Sequence, residues 1–272
     1  MAPMPAPLRQ DVLRAALLGP GGGGAAGGLW TSVEVVRATG STNADLLARG
    51  GPEGQVLAAE EQTAGRGRMG RSWVSQPGTA LTFSVLLRPV PVPPGRRGWL
   101  PLLAGVAVAA AVRDAAAVAA MLKWPNDVLA GGRKLAGILA EQSGETVVIG
   151  IGVNVATAAD ALPVSPTGLR ATSLHVEGAD VARDVLLSEV LRELERWYLA
   201  FRADPDPSRC GLRAAYRAVC GTLGRPVRAE LPGGRFRTGL AEDVDAEGRL
   251  LVRGPDAPSL TPVSAGDIIH LR

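Results

Sequence analysis

This 272-residue chain has little lysine, asparagine, histidine, cysteine or aromatic residue. Two cysteines, Cys210 and Cys220, with no histidine spaced near them, support neither a disulfide framework nor a zinc site and point to a reducing compartment. No run reaches about 18 apolar residues without a charge or breaker, and the N-terminus lacks an uninterrupted apolar core, which argues against membrane insertion and export. The chain reads as cytoplasmic. Aromatics are only 4% of the sequence, too few for a base-stacking nucleic-acid platform, and no block of like charge forms a tail despite a net charge of +3. What is present is a 46% hydrophobic content, enough for a sizeable core in one large domain or two.

Basic character is carried almost wholly by arginine. Of 29 basic residues only Lys123 and Lys134 are lysine, and asparagine occurs only as Asn43, Asn126 and Asn154. A lysine retained against such a bias marks a place where a compact ammonium is needed rather than a planar fork. Negative charge is absent from a whole region: the 52 residues from Gln62 to Arg113 carry seven arginines and no acid.

Within that region, GRGRMGR at 65 to 71 matches the G-x-G-x-x-G spacing through Gly65, Gly67 and Gly70. A dinucleotide-binding turn must follow a strand and open a helix, with an acid about 20 residues later. Here Pro77-Gly78 makes a turn and Thr79 to Leu87 reads as a strand, so the segment is a cationic loop suited to an anion, not a dinucleotide turn.

Along the chain, residues 8 to 18 fit a short amphipathic helix and 19 to 28 a glycine-rich linker. Strands are expected at Val33 to Arg37, Gln55 to Gln62 and Thr79 to Leu87. A capped helix follows Thr39, with Leu46 and Leu47 inside and Gly50-Gly51 ending it, and a buried helix spans Trp99 to Ala117. Met121 to Val155 reads as three antiparallel strands broken at Gly131-Gly132 and Ser143-Gly144. Helices at 182 to 203 and 208 to 219 precede a β-rich C-terminus. This gives a flexible segment 1–28, a main domain 29–220 and a small barrel 221–272.

In KWPNDVLAGGRKLAGILAE, Trp124-Pro125 imposes an extended lead-in and Asn126-Asp127 forms a turn pair. Lys134 opens a strand beside Ala136 and Gly137, whose small side chains let a ligand approach the backbone. A lysine on a strand beside such a gap suits an anionic ligand. Asn154 ends an apolar strand as a cap.

The segments GSTNADLL, EQTAGRGRMGRSW, KWPNDVL, GRKLAGILAE and GIGVN, in this order from Gly40 to Asn154, resemble the biotin protein ligase family. The resemblance is strongest over Trp30 to Val155 and implies an α+β fold. A mixed, largely antiparallel sheet flanked by helices would be akin to class II aminoacyl-tRNA synthetases, with a C-terminal domain similar to a Src-homology-3-like barrel. It implies two steps: biotin attacks the α-phosphate of ATP to give biotinyl-5′-AMP and pyrophosphate, and an acceptor lysine then takes the acyl group.

By the same resemblance, Ser41, Thr42, Asn43, Gln62 and Gly137 meet biotin. Arg66, Gly67 and Arg68 belong to a loop that folds over biotin and the adenylate, and Lys134 stands beside the carboxylate and α-phosphate. Gly65, Arg71, Trp73, Lys123, Asn126 and Asn154 join Arg66, Arg68 and Lys134 at the nucleotide. Lys134, Arg66, Arg68 and Asp127 are the candidate catalytic group. ATP, biotin and magnesium are implied, with Mg2+ carried by ATP and Asp127 the one protein group suggested near it.

The implied partner is a biotin carboxyl carrier protein or domain of an acyl-CoA carboxylase, with no membrane partner and a monomer or weak homodimer. DNA binding is not expected, because the roughly 28 residues ahead of the first strand are too few for a winged-helix module. The rivals are a lipoate or octanoate ligase, opposed by the GRGR loop and KWPND, and a basic nucleic-acid-binding protein.

Overall fold

The computed structural model describes residues 6–18, 28–163, 168–231, 234–255, 259–264 and 266–271. The linker expected at 19 to 28 lies almost wholly outside them. Helix α1 (Gln10–Leu18) precedes β1 (Ser32–Val36), α2 (Thr42–Arg49), β2 (Gln55–Ala59) and β3 (Ala80–Leu87). Next come α3 (Trp99–Ala116) and four strands, β4 (Ala120–Lys123), β5 (Asp127–Ala130), β6 (Arg133–Ser143) and β7 (Thr146–Asn154). Helices α4 (Arg183–Ala203) and α5 (Leu212–Val219) close this part.

The seven strands form one sheet in the order β1-β2-β3-β7-β6-β5-β4, with β1 parallel to β2 and every other pair antiparallel. It is the mixed sheet that the sequence led one to expect. One face carries α3 and α4, the other α2, where Leu46 packs with Leu57, Leu86 and Val148. Strand β3 is buried at all eight positions because it is central in the sheet and covered on both faces. Helix α3 is apolar almost all round for the same reason: Leu103, Ala104, Ala107, Val108 and Val112 are inaccessible to solvent.

The helix expected from 208 starts at Leu212, and two further differences from the sequence reading bear on the site. Met121 to Val155 holds four strands rather than three, because the Trp124-Pro125 bond is cis and Trp124 to Asn126 turn the chain back between β4 and β5. Strand β2 stops at Ala59, since the Glu60 carbonyl accepts from Gly78 N (3.0 Å) and closes the neck of the excursion between β2 and β3. The Gly131-Gly132 hairpin behaves as read: φ values of +53° and +74° are those of a type I′ turn, which glycine adopts without a Cβ penalty.

Beyond α5, strands β8 (Pro226–Glu230), β9 (Phe236–Val244), β10 (Leu250–Arg253), β11 (Leu260–Val263) and β12 (Asp267–His270) make a five-stranded antiparallel sheet in the order β11-β10-β9-β8-β12. Two buried tryptophans bind it to the larger sheet. Trp99 Nε1 donates to Asp245 O (3.0 Å) and Trp124 Nε1 to Gly248 O (3.1 Å), both in the β9–β10 turn. Gly98 is required at this junction, as a Cβ there would lie 2.3 Å from Glu247 O.

Candidate active site

A cleft of about 940 Å³ opens between the larger sheet and β12, and it brings together every residue assigned above to biotin, the nucleotide or catalysis except Gly65. The missing glycine sits on the outer side of the GRGRMGR segment, where a Cβ would meet Trp73 O at 2.4 Å, so its part is backbone packing. The segment is a tight hairpin. Trp73 N donates to Gly65 O (2.9 Å) and Gly67 N to Arg71 O (2.6 Å), and Met69 takes φ +56° at the tip.

Three arginines project from this hairpin to three different elements. Arg66 approaches Glu141 of β6 at 3.7 Å, Arg68 Nη1 donates to Asn126 Oδ1 (3.3 Å), and Arg71 forms two bonds to Asp267 of β12 (2.8 and 2.9 Å). Burial holds the Arg68 guanidinium below its usual range, with Asp267 and Asp127 opposing the shift and Arg71 adding to it. Across the cleft, Lys134 Nζ lies 2.6 Å from Asp127 Oδ1 and Lys123 Nζ 4.0 Å from Oδ2. Burial also lowers the Lys123 pKa, against the attraction of Asp127 and Asp267. The two lysines thus face one carboxylate from adjacent strands, because β5 pairs with both β4 and β6.

Directly beside Lys134 the floor is made of glycine. Gly137 and Gly152 are register partners on β6 and β7, and the Trp73 indole lies against both. A Cβ on Gly152 would meet indole atoms at 2.4 to 2.8 Å, and one on Gly137 would meet them at 3.3 Å. Trp73 Nε1 is buried without a hydrogen-bond partner among the described residues. Beside this apolar wall a polar cluster is built from α2 outward. Ser41 caps the helix through Ala44 N, Thr42 N and Oγ1 both donate to Gln62 Oε1 (2.9 and 3.0 Å), and Asn43 Nδ2 donates to Glu141 Oε2 (2.8 Å). Gly150 is bare because a Cβ there would lie 2.3 Å from Asn43 Oδ1. Asn154 ends β7 with Nδ2 donating to Thr172 O (2.9 Å), and Asn126 Nδ2 donates to Ile138 O (2.9 Å).

Several residues in or behind the lining were not anticipated. Ser84, which bonds Asn43 Oδ1 (2.6 Å), carried a signal: it is a polar residue inside the apolar run ALTFSVLL. Asp267, Arg225 and His270 carried none, as nothing local ties the C-terminal strand to this cleft. His270 faces Thr222 Oγ1 at 3.1 Å, and burial together with Lys123 and Arg225 pushes its pKa down to about 4. Among the described residues no group of three or more His, Cys, Asp or Glu is placed to hold a metal ion.

An apolar wall, a hydrogen-bonding cluster beside it and a band of cations suit an elongated ligand with an anionic tail. Residues 32–154 match the Biotin/lipoate A/B protein ligase family, and residues 222–271 match the Biotin protein ligase C terminal domain. The chain is 46% identical over 275 residues to the Biotin–[acetyl-CoA-carboxylase] ligase of Mycobacterium tuberculosis, covering 98% of this chain and 97% of that one. It is 33% identical to the Bifunctional ligase/repressor BirA of Bacillus spizizenii over 80% of this chain and 67% of that one. Among solved structures, the biotin protein ligase from Aquifex aeolicus in complex with biotin and ATP superposes with a TM-score of 0.73 at 28% identity, covering 88% of this chain and 98% of that one.

Proposed function

The chain belongs to the biotin protein ligase family, and from that membership and the geometry of its cleft we infer that it is an ATP-dependent ligase. It activates biotin as biotinyl-5′-AMP and transfers the acyl group to a lysine of a carrier protein. The carrier domain of an acyl-CoA carboxylase is the acceptor that the mycobacterial relative's name supports. Residues 29–220 form the catalytic domain in this reading and 221–272 the small β-rich domain, with 1–28 preceding both.

The observation that carries the reading is the composition of the cleft, where a glycine floor covered by Trp73 directly adjoins Lys134, and Lys123, Arg68 and Arg71 complete a cationic lining. The sulfur ring and valeryl chain of biotin need an apolar wall, which assigns Trp73, expected from the sequence at the nucleotide, to the biotin side in this reading, and the ureido group needs the donors and acceptors that Ser41, Thr42, Asn43 and Gln62 offer. Its carboxylate then reaches Lys134. In the first step a biotin carboxylate oxygen attacks the α-phosphate and pyrophosphate leaves. Lys134 and Arg68 offset the charge that develops there in a site the GRGRMGR hairpin shields from water. In the second step an acceptor ε-amine attacks the acyl carbon and AMP leaves.

Magnesium fits as a companion of the nucleotide. Asp127 offers one carboxylate, already shared with Lys134, so phosphate oxygens must supply most of the coordination. When bound, the ion would supply neutralising charge to the phosphates that leave as pyrophosphate.

The test is biotin-dependent exchange of pyrophosphate into ATP without any acceptor. Exchange is expected with biotin and magnesium and not with lipoate. No exchange with biotin, or equal exchange with lipoate, overturns the assignment.

A further inference from the structure

Away from the cleft, a buried ion pair sits at the root of the GRGRMGR hairpin. Arg183, the first residue of α4, is 3% exposed, and its Nη2 lies 2.7 Å from Glu60 Oε2. Glu60 ends one stem of the excursion that holds Gln62, the hairpin and Trp73, and Gly78, near the other stem, donates to its carbonyl. The same guanidinium reaches the second stem, where Nη1 donates to Ala80 O (3.2 Å), the first residue of β3. It also reaches the N-terminal segment, where Nη2 donates to Ala6 O (2.8 Å), while Leu8 N donates to Glu60 Oε1 (2.6 Å).

One side chain therefore joins both stems and the chain ahead of α1. That chain is itself fixed by Arg9, which pairs with Asp184, and α1 behind it by Leu13, which is inaccessible to solvent, and by Gln10 and Arg14, which bond Val35 N and Val33 O on the outer edge of β1. Desolvating a guanidinium is expensive and a buried pair adds little net stability, and Arg183 Nε is left without a partner among the described residues. Its contribution is geometric. Only a planar fork can address Glu60, Ala80 and Ala6 together.

We propose that Arg183 and Glu60 are positioning residues for the hairpin: by fixing the neck of the excursion, with the N-terminal segment as its outer brace, they set how well the hairpin retains the acyl-adenylate. This rests on the hairpin acting as a lid. Neither residue lines the cleft, so their loss leaves the reacting groups in place and loosens the closure.

Three variants test this: Arg183→Lys, which keeps the charge but not the fork; Glu60→Gln, which keeps volume and an acceptor but ends the ion pair; and Arg68→Gly, which removes a lid contact directly. Each is incubated with biotin, ATP and serum albumin. Streptavidin blotting reads escaped adenylate, pyrophosphate exchange reads adenylation, and thermal melting reads the fold. Arg183→Lys and Glu60→Gln are expected to raise albumin labelling about threefold to tenfold, the range that one or two lost hydrogen bonds represent, with exchange kcat within about twofold of the parent. Their double variant should leak no more than the worse single one.

A merely structural pair would instead lower melting temperature and all activities together, and that result overturns the proposal. If Arg183→Lys does not fold, Glu60→Gln decides. If Arg68→Gly leaks and the clasp variants do not, the clasp is wrong and the lid stands. If none leaks, both fail.

Discussion

Arg71 of the hairpin and Asp267 of β12 are joined by two parallel hydrogen bonds, 2.8 and 2.9 Å, across 196 positions of sequence. The pair joins the hairpin to the last strand of the smaller sheet, and both residues line the cleft. Both side chains are partly exposed, at 33% and 22%, so a bidentate pair that buried would be worth more is discounted here to about 1 kcal/mol. Asp267→Ala is expected to weaken ATP binding about fivefold while biotin binding changes less, because the bonds of this pair run to each other and to Arg68 and not to the polar cluster at α2. Titration calorimetry with each ligand reads this. Equal loss for both would mean the contact supports the fold rather than nucleotide binding.

Lys134→Arg exchanges a compact ammonium for a fork beside a glycine whose Cβ position lies 3.4 Å from Lys134 Cε. The guanidinium cannot keep the 2.6 Å contact with Asp127 without displacing that strand. Adenylation should fall at least about tenfold, or roughly 1.4 kcal/mol of transition-state stabilisation. Unchanged exchange in the variant would show that the retained lysine is incidental.

Gly152→Ala places a methyl group 2.4 to 2.8 Å from three atoms of the Trp73 indole, which must tilt off the floor. Overpacking of this kind costs about 1 to 3 kcal/mol where the neighbour is fixed. Here the neighbour belongs to the hairpin, so the cost appears in the site. Biotin affinity should drop by at least about tenfold with melting temperature nearly unchanged, and a variant that binds biotin as well as the parent would remove Trp73 from the wall.

His270 supplies a pH signature. Its pKa in the fold is about 4, against an ordinary 6.5, because burial and the charges of Lys123 and Arg225 disfavour the imidazolium. The unfolded chain therefore binds more protons between these values. Stability drawn from the neutral ring is complete above pH 6.5 and is lost as pH falls towards 4. Melting curves through that window should show a decline that His270→Gln flattens; an identical decline in the variant would assign it to other groups.

Much of this protein follows from local chemistry. Ser41 ahead of an amphipathic stretch specifies a capped helix, Gly131-Gly132 a type I′ hairpin, and the unbroken apolar run from Leu100 to Val112 a core helix, because each depends on residues within one or two turns of one another. The cationic character of GRGRMGR and the oddity of two retained lysines were equally visible, as charge and residue type need no fold to be read. Tertiary structure decided what those groups face. Whether Gly137 meets Gly152, and so whether Trp73 finds a flat floor, depends on the β6–β7 register, which a slip of one residue would reverse. The pairing of Arg71 with Asp267, the convergence of Lys123 and Lys134 on Asp127, and the reach of Arg183 from α4 to Ala6, Glu60 and Ala80 bring together groups from separate elements, most of them far apart in sequence. No local preference encodes such contacts, because they form only when burial of the shared core has paid the entropy of closing the intervening chain.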